Sequence, residues 1–288
     1  MVQTRLALTL LGALALCSCA TPSGLLRTER FSYSWKAAQM DASRTGVKAV
    51  TGDAVQAALG AVDDAGNYTS PSGKVFYSQS STAMAAASLM KYQDAMSPLR
   101  EVIGHSAMEM PRSPSNPNTA INAWTADVIK TGVETKMGRT VDAAIMNRGG
   151  IRIDMPKGDV TVDDISSMFP FLNYLCYIEM PGYELRKLLE QFARGPFQAI
   201  SGIVVTVKDG ALVSAKIGGK ELDDNAFYAV ASVDYLLDGG DNIFLARNSR
   251  TLEISEYRVL DWIKEYVSGL TSEGKSIECT DYQRFIKL

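Results

Sequence analysis

A short, mostly apolar segment of this chain is followed closely by two adjacent glycines that stand between two arginines. The segment VDAAIM predicts a buried strand, and residues 147–152 follow it as NRGGIR. Glycines at the end of a strand let backbone amides face an anion, and Arg152 can hold that anion through two parallel hydrogen bonds. The alternative is a plain tight turn, because the loop is neither a Walker loop nor a GxGxxG loop.

Two further segments carry residues that are suited to ligand binding. In FPFLN, residues 169–173, a proline fixes the backbone before Phe171, and Asn173 places a polar group beside the ring. In DYLLDGGDN, residues 234–242, a turn leaves a strand and contains Tyr235 and Asp241. Each feature also has a structural interpretation, since phenylalanines in apolar runs are usually core residues and aspartates in turns usually bond their own backbone.

The order of the predicted elements indicates the class of fold. Helices and strands mix without a strict βαβ rhythm, which predicts an α+β fold with a mixed sheet and flanking helices. Asp209-Gly210 predicts a hairpin, and Thr161 with Asp164 predicts a capping box. Helices are predicted over residues 81–97, before Pro98, over residues 119–138 with Asn118 as the N-cap, and over residues 254–270.

The N-terminus resembles the export signal of a bacterial lipoprotein. Arg5 precedes an apolar run over residues 6–16 that is too short to span a bilayer, and LCSC follows it. Residues 1–19 are therefore predicted to be a signal segment with Cys19 as the lipidated first mature residue, although Cys17 departs from the usual small residue. A plain cleavable signal is the alternative. We expect an envelope lipoprotein with a lipid anchor, and a tether with a small β-rich element over residues 20–95.

Charge and composition exclude several functions. The net charge of −3 provides no basic surface for a nucleic acid polymer. Cys176 and Cys279 are too few to form a metal cluster; in an oxidising compartment they could form a disulfide, but a buried free thiol is the expected state of Cys176. His105 is the single histidine and lacks a nucleophile motif beside it, so we expect a structural role for it.

The three motifs, in this order, resemble those of the C-terminal, substrate-binding domain of the 5'-nucleotidase family, and the likeness extends over residues 96–288. The resemblance implies that the two aromatic residues sandwich a nucleobase, that the acid binds ribose hydroxyls, and that the glycine loop holds the phosphate and ribose side. It also implies that Asn173 reads the base edge. The implied substrate-binding residues are Asn147, Gly149, Gly150, Arg152, Phe171, Asn173, Tyr235 and Asp241. Two departures concern the phosphate side: Arg148 replaces a usual glycine, and Arg112 lies too far upstream to match a further arginine of the family.

In that family, hydrolysis depends on a preceding two-metal phosphoesterase domain with several histidine and acidic ligands. A single imidazole cannot supply such a set. We therefore predict no catalytic residue, metal or cofactor in this chain. It would be the nucleotide- or nucleoside-binding half of a split 5'-nucleotidase, completed by a separate metallophosphoesterase chain that holds divalent metals. The alternative is a stand-alone binding or structural lipoprotein without catalytic activity.

Overall fold

The computed structural model describes residues 60–288, which begin with a small antiparallel sheet. Its three strands have two residues each: β1 (Ala61–Val62), β2 (Tyr68–Thr69) and β3 (Val75–Phe76). The turn-rich composition predicted such an element. Helices α1 (Ser81–Lys91) and α2 (Gln93–Met96) follow. The predicted signal segment with Cys19 and the tether lie outside the described residues. So do residues 31–40, where the alternation of Phe31, Tyr33 and Trp35 with polar residues predicts a strand.

Residues 102–288 contain the remaining strands and helices. The strands are β4 (Val102–Ser106), β5 (Ala143–Met146), β6 (Gly158–Thr161), β7 (Tyr174–Pro181), β8 (Ala199–Ser201), β9 (Ile203–Lys208), β10 (Ala211–Ile217), β11 (Lys220–Glu221), β12 (Phe227–Val233), β13 (Thr251–Arg258) and β14 (Phe285–Lys287). The helices are α3 (Ala120–Met137), α4 (Val162–Met168), α5 (Gly182–Arg194) and α6 (Val259–Ser272).

A mixed five-stranded sheet with the order β13-β7-β12-β5-β8 is the centre of the fold. β12 runs parallel to β5, and the other neighbouring strands of this sheet are antiparallel. β5 is buried along its whole length, as its uniformly apolar sequence requires. The mixed sheet and its flanking helices confirm the predicted α+β class.

Helix α3 packs across β5, β8 and β12, and α6 packs against α3 and β4. The two helices approach closely at Gly132, where an added Cβ would lie 2.5 Å from Nε1 of Trp262. The same indole N–H donates a hydrogen bond to the carbonyl of Val128 at 2.8 Å. A glycine on one helix therefore makes room for a tryptophan on the other, and the indole polar group is satisfied inside the core.

Two smaller sheets complete the fold. One has the order β11-β10-β9-β14 and contains the predicted hairpin, in which Asp209 and Gly210 both have positive φ as a type I′ turn requires. The other pairs β4 with β6 in antiparallel fashion. The predicted capping box is confirmed at the start of α4, where Thr161 and Asp164 each bond the backbone N–H of the other.

Three local predictions need correction. Thr119, not Asn118, caps α3, and the Asn118 side chain instead bonds the backbone of Phe285. Residues 254–258, predicted as the start of the last helix, belong to β13, because residues 251–254 pair with β7. The helix predicted over residues 81–97 ends before Pro98 as expected but is interrupted at Tyr92, so that it consists of α1 and α2, and Pro98 lies in a short 3₁₀ helix, Ser97–Arg100, where its fixed φ is tolerated.

The two cysteines of the described region are free and buried, as expected for Cys176. Burial raises the pKa of the Cys176 thiol to about 12 and also raises the pKa of Cys279. Within residues 60–288, no helix combines the length and the apolar composition that are needed to cross a bilayer.

Candidate functional site

The sheet topology brings the three predicted motifs to one edge of the central sheet. Because β5 and β12 are parallel, the residues that follow them leave at the same edge. β7 and β8 run antiparallel to these strands, so the residues that precede β7 and β8 reach that edge as well. The edge therefore carries the NRGGIR loop, the FPFLN segment, the DYLLDGGDN turn and Gln198. We call it the carboxyl edge of β5 and β12.

Residues 147–151 form a tight turn that buries the side chain of Asn147. Arg148–Gly150 is a 3₁₀ turn in which the amide of Gly150 donates to the carbonyl of Asn147 at 2.9 Å. A Cβ on Gly150 would lie 3.1 Å from the Asn147 amide group, so the glycine allows this side chain to fold over the loop. Asn147 is 5% exposed, and its Oδ1 has no hydrogen-bond partner among the described residues. A buried acceptor without a partner is uncommon and is suited to a ligand donor.

Arg152 and Phe171 lie side by side. The backbone amide of Arg152 donates to the carbonyl of Met168, the last residue of α4, at 2.9 Å. Its guanidinium donates to the carbonyl of Gly149 at 3.1 Å, and Cζ lies 5.7 Å from the centroid of the Phe171 ring. The Phe171 ring is 46% exposed, which excludes the core position that was the alternative for it. A cation beside an exposed aromatic face is held by a cation–π interaction.

The turn after β12 fixes a carboxylate against an aromatic ring. The Tyr235 hydroxyl donates to Oδ1 of Asp241 at 3.1 Å and accepts from the amide of Asp241 at 3.3 Å. Gly239 has φ of 102°, and a Cβ on Gly240 would lie 2.0 Å from the carbonyl oxygen of Tyr235, so the glycine pair is required for this turn. Tyr235 is 45% exposed.

Asp234 joins the aromatic segments. Its Oδ1 accepts from the amide of Tyr235 at 2.9 Å and from the amide of Tyr174 at 3.1 Å. The turn that carries Tyr235 is thereby tied to the chain three residues after Phe171. Asn173 is half-buried, and its carbonyl accepts from the amide of Val259 at the start of α6. Its predicted contact with the base edge stays a prediction.

Gln198 was not recognised from the sequence, although it connects two of the motifs. Its Oε1 accepts from the amide of Arg148 at 2.7 Å, and its Nε2 donates to Oδ2 of Asp241 at 3.4 Å. The residue is 4% exposed. In the sequence, Gln198 is a single amide side chain before the short strand AIS. A role in the site follows only once β8 is known to pair with β5.

Two arginines form hydrogen bonds with backbone carbonyls in and beside the glycine loop. Arg112 donates to the carbonyl of Ile151 at 2.8 Å and lies 3.4 Å from Oδ1 of Asp154. The guanidinium of Arg148 donates to the carbonyl of Ser113 at 3.4 Å. Arg112, which the sequence placed too far upstream to match the family pattern, therefore lies beside the loop and braces its backbone.

The histidine lies in the β4–β6 pair. Nδ1 of His105 is 3.3 Å from Oδ1 of Asp159 on the neighbouring strand, and both side chains are exposed. Among residues 60–288, no three His, Cys, Asp or Glu side chains are grouped as a metal site requires.

The fold and this edge define the class of protein: an α+β domain that presents two exposed aromatic rings, a fixed carboxylate and a glycine loop on one sheet edge. The family model described as "5'-nucleotidase, C-terminal domain" matches residues 102–247, which is half of the chain. The chain therefore belongs to the 5'-nucleotidase C-terminal domain family.

Curated relatives and solved structures agree with this assignment. A 5'-nucleotidase of Vibrio cholerae is 32% identical over 123 residues, which is 38% of this chain and 22% of the relative. Endonuclease YhcR of Bacillus subtilis is 31% identical over 160 residues, 53% of this chain and 13% of the relative. The structure of a 5'-nucleotidase precursor from Thermus thermophilus is similar in fold, with a TM-score of 0.61 and 21% identity over 72% of this chain and 43% of that one. This chain thus spans about a fifth or less of the length of these two curated relatives.

Proposed function

We propose that this chain binds a nucleotide or nucleoside at the carboxyl edge of β5 and β12. The nucleobase stacks between the rings of Phe171 and Tyr235, and Asn173 faces the edge of the base. Asp241 accepts hydrogen bonds from the ribose hydroxyls. The phosphate and ribose side lies against the glycine loop, where the ligand meets Asn147, Gly149, Gly150 and Arg152.

One observation carries this proposal: two aromatic rings are held half-exposed at the same edge as a fixed carboxylate. Stacking of a base on an aromatic ring contributes about 1–3 kcal/mol and tolerates any base. The rings alone give little selectivity among bases, whereas Asp241 selects for hydroxyl donors and Arg152 for a negative charge. A nucleoside or nucleotide has these three groups: a π face, hydroxyl donors and, in the nucleotide, an anion.

The stacking role is tested by comparing two neighbouring exposed apolar residues. Leu172 is 62% exposed and lies next to Phe171, so Leu172→Ala is a matched control. We expect Phe171→Ala to weaken adenosine and AMP binding by about tenfold or more, since loss of one stacking partner costs about 1–3 kcal/mol. Thermal stability should change little because the ring is half-exposed. Isothermal titration calorimetry and thermal melting measure the two quantities.

A large loss of stability with unchanged affinity in Phe171→Ala would mark the ring as a packing residue and contradict the stacking role. Equal losses of affinity in Phe171→Ala and Leu172→Ala would place the ligand elsewhere. The absence of binding by the wild-type protein would remove the proposed function altogether.

We further propose that the chain acts as the recognition half of a split 5'-nucleotidase in nucleotide catabolism. The resemblance assigns hydrolysis to a two-metal domain, and the only histidine of this sequence lies in the β4–β6 pair, bonded to Asp159. A separate secreted metallophosphoesterase would supply the divalent metals and the hydrolytic step. Lipidation at Cys19 would keep the recognition half at a membrane of the bacterial cell envelope.

Mixing the two chains tests the split enzyme. The partner to test is a secreted metallophosphoesterase that lacks this domain, and the genes next to that of this chain are where it is sought; finding one there would favour the split enzyme. We expect AMP hydrolysis, measured by phosphate release with a divalent metal, to be faster for the mixture than for the phosphoesterase alone, and Phe171→Ala to reduce this gain. An equal rate with and without this chain would favour the alternative, a stand-alone binding lipoprotein.

A further inference from the structure

Gln198 is a buried polar residue between the glycine loop and the acidic turn. Its side chain accepts from the backbone amide of Arg148 and donates to the carboxylate of Asp241. A Cβ on Gly149 would lie 4.0 Å from the same oxygen, Oδ2 of Asp241, so the loop and the turn are in direct proximity at this point. Gln198 is the side chain that joins them by hydrogen bonds.

The orientation of the Gln198 amide group follows from its partners. The Arg148 amide is a donor, so the atom 2.7 Å from it must be the oxygen, Oε1. Nε2 is then directed at Oδ2 of Asp241, which as a carboxylate oxygen can only accept. A side chain that can only accept or only donate hydrogen bonds could not satisfy both partners. The glutamine amide is therefore matched to this position.

The two oxygens of Asp241 are held by two different side chains. Oδ1 receives the Tyr235 hydroxyl, and Oδ2 receives Gln198. A carboxylate has about four acceptor positions, so each oxygen keeps capacity for another donor. The side chain of Asp241 is exposed, which leaves these positions accessible to a ligand. Two acceptors in a fixed plane are complementary to two neighbouring hydroxyl groups.

We propose that Gln198 is a positioning residue that orients Asp241 for a ribose diol, and so determines the preference for ribose over sugars without this diol. The inference rests on the proposed function. Gln198 does not contact the ligand in this proposal. It acts through Asp241, and it keeps the acidic turn at a constant distance from the glycine loop that faces the phosphate side.

Two substitutions separate this role from simple packing. Gln198→Glu keeps an oxygen for the Arg148 amide but removes the donor to Asp241 and places a second negative charge beside it. Gln198→Met keeps the approximate volume and removes both hydrogen bonds. Gln191→Met is the matched control, because Nε2 of Gln191 donates to the backbone carbonyl of Asn242 in the same turn at 3.2 Å without contacting the Asp241 carboxylate.

The affinities of adenosine and 2′,3′-dideoxyadenosine provide the measurement, because the two ligands differ only in the ribose hydroxyls. We expect Gln198→Glu and Gln198→Met to weaken adenosine binding about tenfold, which is close to the lower end of the range for one hydrogen bond to a charged group, and dideoxyadenosine binding by less than about twofold. The ratio of the two affinities therefore falls. Gln191→Met should leave this ratio within about twofold of the wild-type value.

A double-mutant cycle tests whether Gln198 acts through Asp241. In the Asp241→Asn background, Gln198→Met should cause no further loss of adenosine affinity. Equal weakening of both ligands, or an unchanged affinity ratio, would overturn the positioning role while wild-type binding still supports the proposed function. A wild-type protein that binds neither ligand would overturn both. If either single variant fails to fold by circular dichroism, the other variant decides the ratio.

Discussion

The ionised carboxylate of Glu179 makes part of the free energy of unfolding depend on pH. Its carboxylate on β7 receives hydrogen bonds from Arg250 and from the hydroxyl of Thr251, at the start of the neighbouring strand β13. These bonds, that of Arg250 first, lower the pKa of Glu179 to about 2, against a smaller opposing effect of burial. The side chain is 23% exposed, so solvent reduces the strength of the pair.

The sign of the pH effect follows from this lowered pKa. An unfolded glutamate titrates near 4.5, so the stabilisation by Glu179 is complete above that pH and is lost as the pH falls from there toward 2. We expect Glu179→Gln to be less stable than the wild type at pH 6 and the difference to shrink between pH 4.5 and 2. Urea unfolding at several pH values measures it.

Glu265→Gln is the control for this experiment, because Glu265 is a surface carboxylate bonded to Lys136 on another part of the fold. A stability difference between wild type and Glu179→Gln that stays constant from pH 6 to pH 2 would contradict the assigned pKa.

At the scale of single residues, the sequence allowed some residues of the candidate site to be identified and not others. Phe171, Tyr235 and Asp241 could be selected because each belongs to a short motif whose local turn is encoded by nearby glycines or proline. Gln198 has no such motif. Its importance depends on the pairing of β8 with β5, and neither strand indicates that pairing by its own residues. Gln198 could therefore be identified only from the structure, because its hydrogen-bond partners are distant in the sequence.

At the scale of helices, strands and turns, the sequence predicted correctly those features that depend on residues close together in the chain. The capping box of α4 and the Asp209-Gly210 hairpin both depend on residues within a few positions of one another, and both are present. The prediction at Asn118 was wrong because the amide of Asn118 is used by a distant segment: its Oδ1 accepts from the amides of Arg284 and Phe285. Thr119 is then the residue that caps α3.

β13 is an element whose conformation the local sequence pattern predicted wrongly. ISEYR continues into an apolar helical pattern, so its spacing favoured one long helix over residues 254–270. In the fold, Ile254 pairs with Cys176 of β7, and the strand continues to Arg258 before the helix begins. Pairing with a neighbouring strand decided the conformation, and no property of the five residues alone required it.

At the scale of the whole molecule, hydrogen bonds of Arg284 join the C-terminal segment to helix α3 and to the central sheet. Its guanidinium donates to Asp127 on α3 at 2.6 Å, to the carbonyl of Ala123 at 3.2 Å and to the carbonyl of Ile200 on β8. The Ser201 hydroxyl donates to the other oxygen of Asp127 at 2.5 Å. One side chain thus connects the C-terminal segment, a helix and the central sheet, close to Gln198.

This arrangement predicts that Arg284 supports global stability rather than one local element. Arg284→Met keeps much of the side-chain volume but removes the hydrogen bonds to two backbone carbonyls and to Oδ2 of Asp127, so we expect a loss of about 2–3 kcal/mol in the free energy of unfolding. Lys130→Met on α3 is the control, since Lys130 pairs with Glu134 one turn away, and it should cost no more than about 0.5 kcal/mol. Urea unfolding should show a lower midpoint for Arg284→Met with an unchanged slope, because the cooperative unit stays intact. Equal midpoints for the two variants would show that the Arg284 side chain does not contribute to global stability.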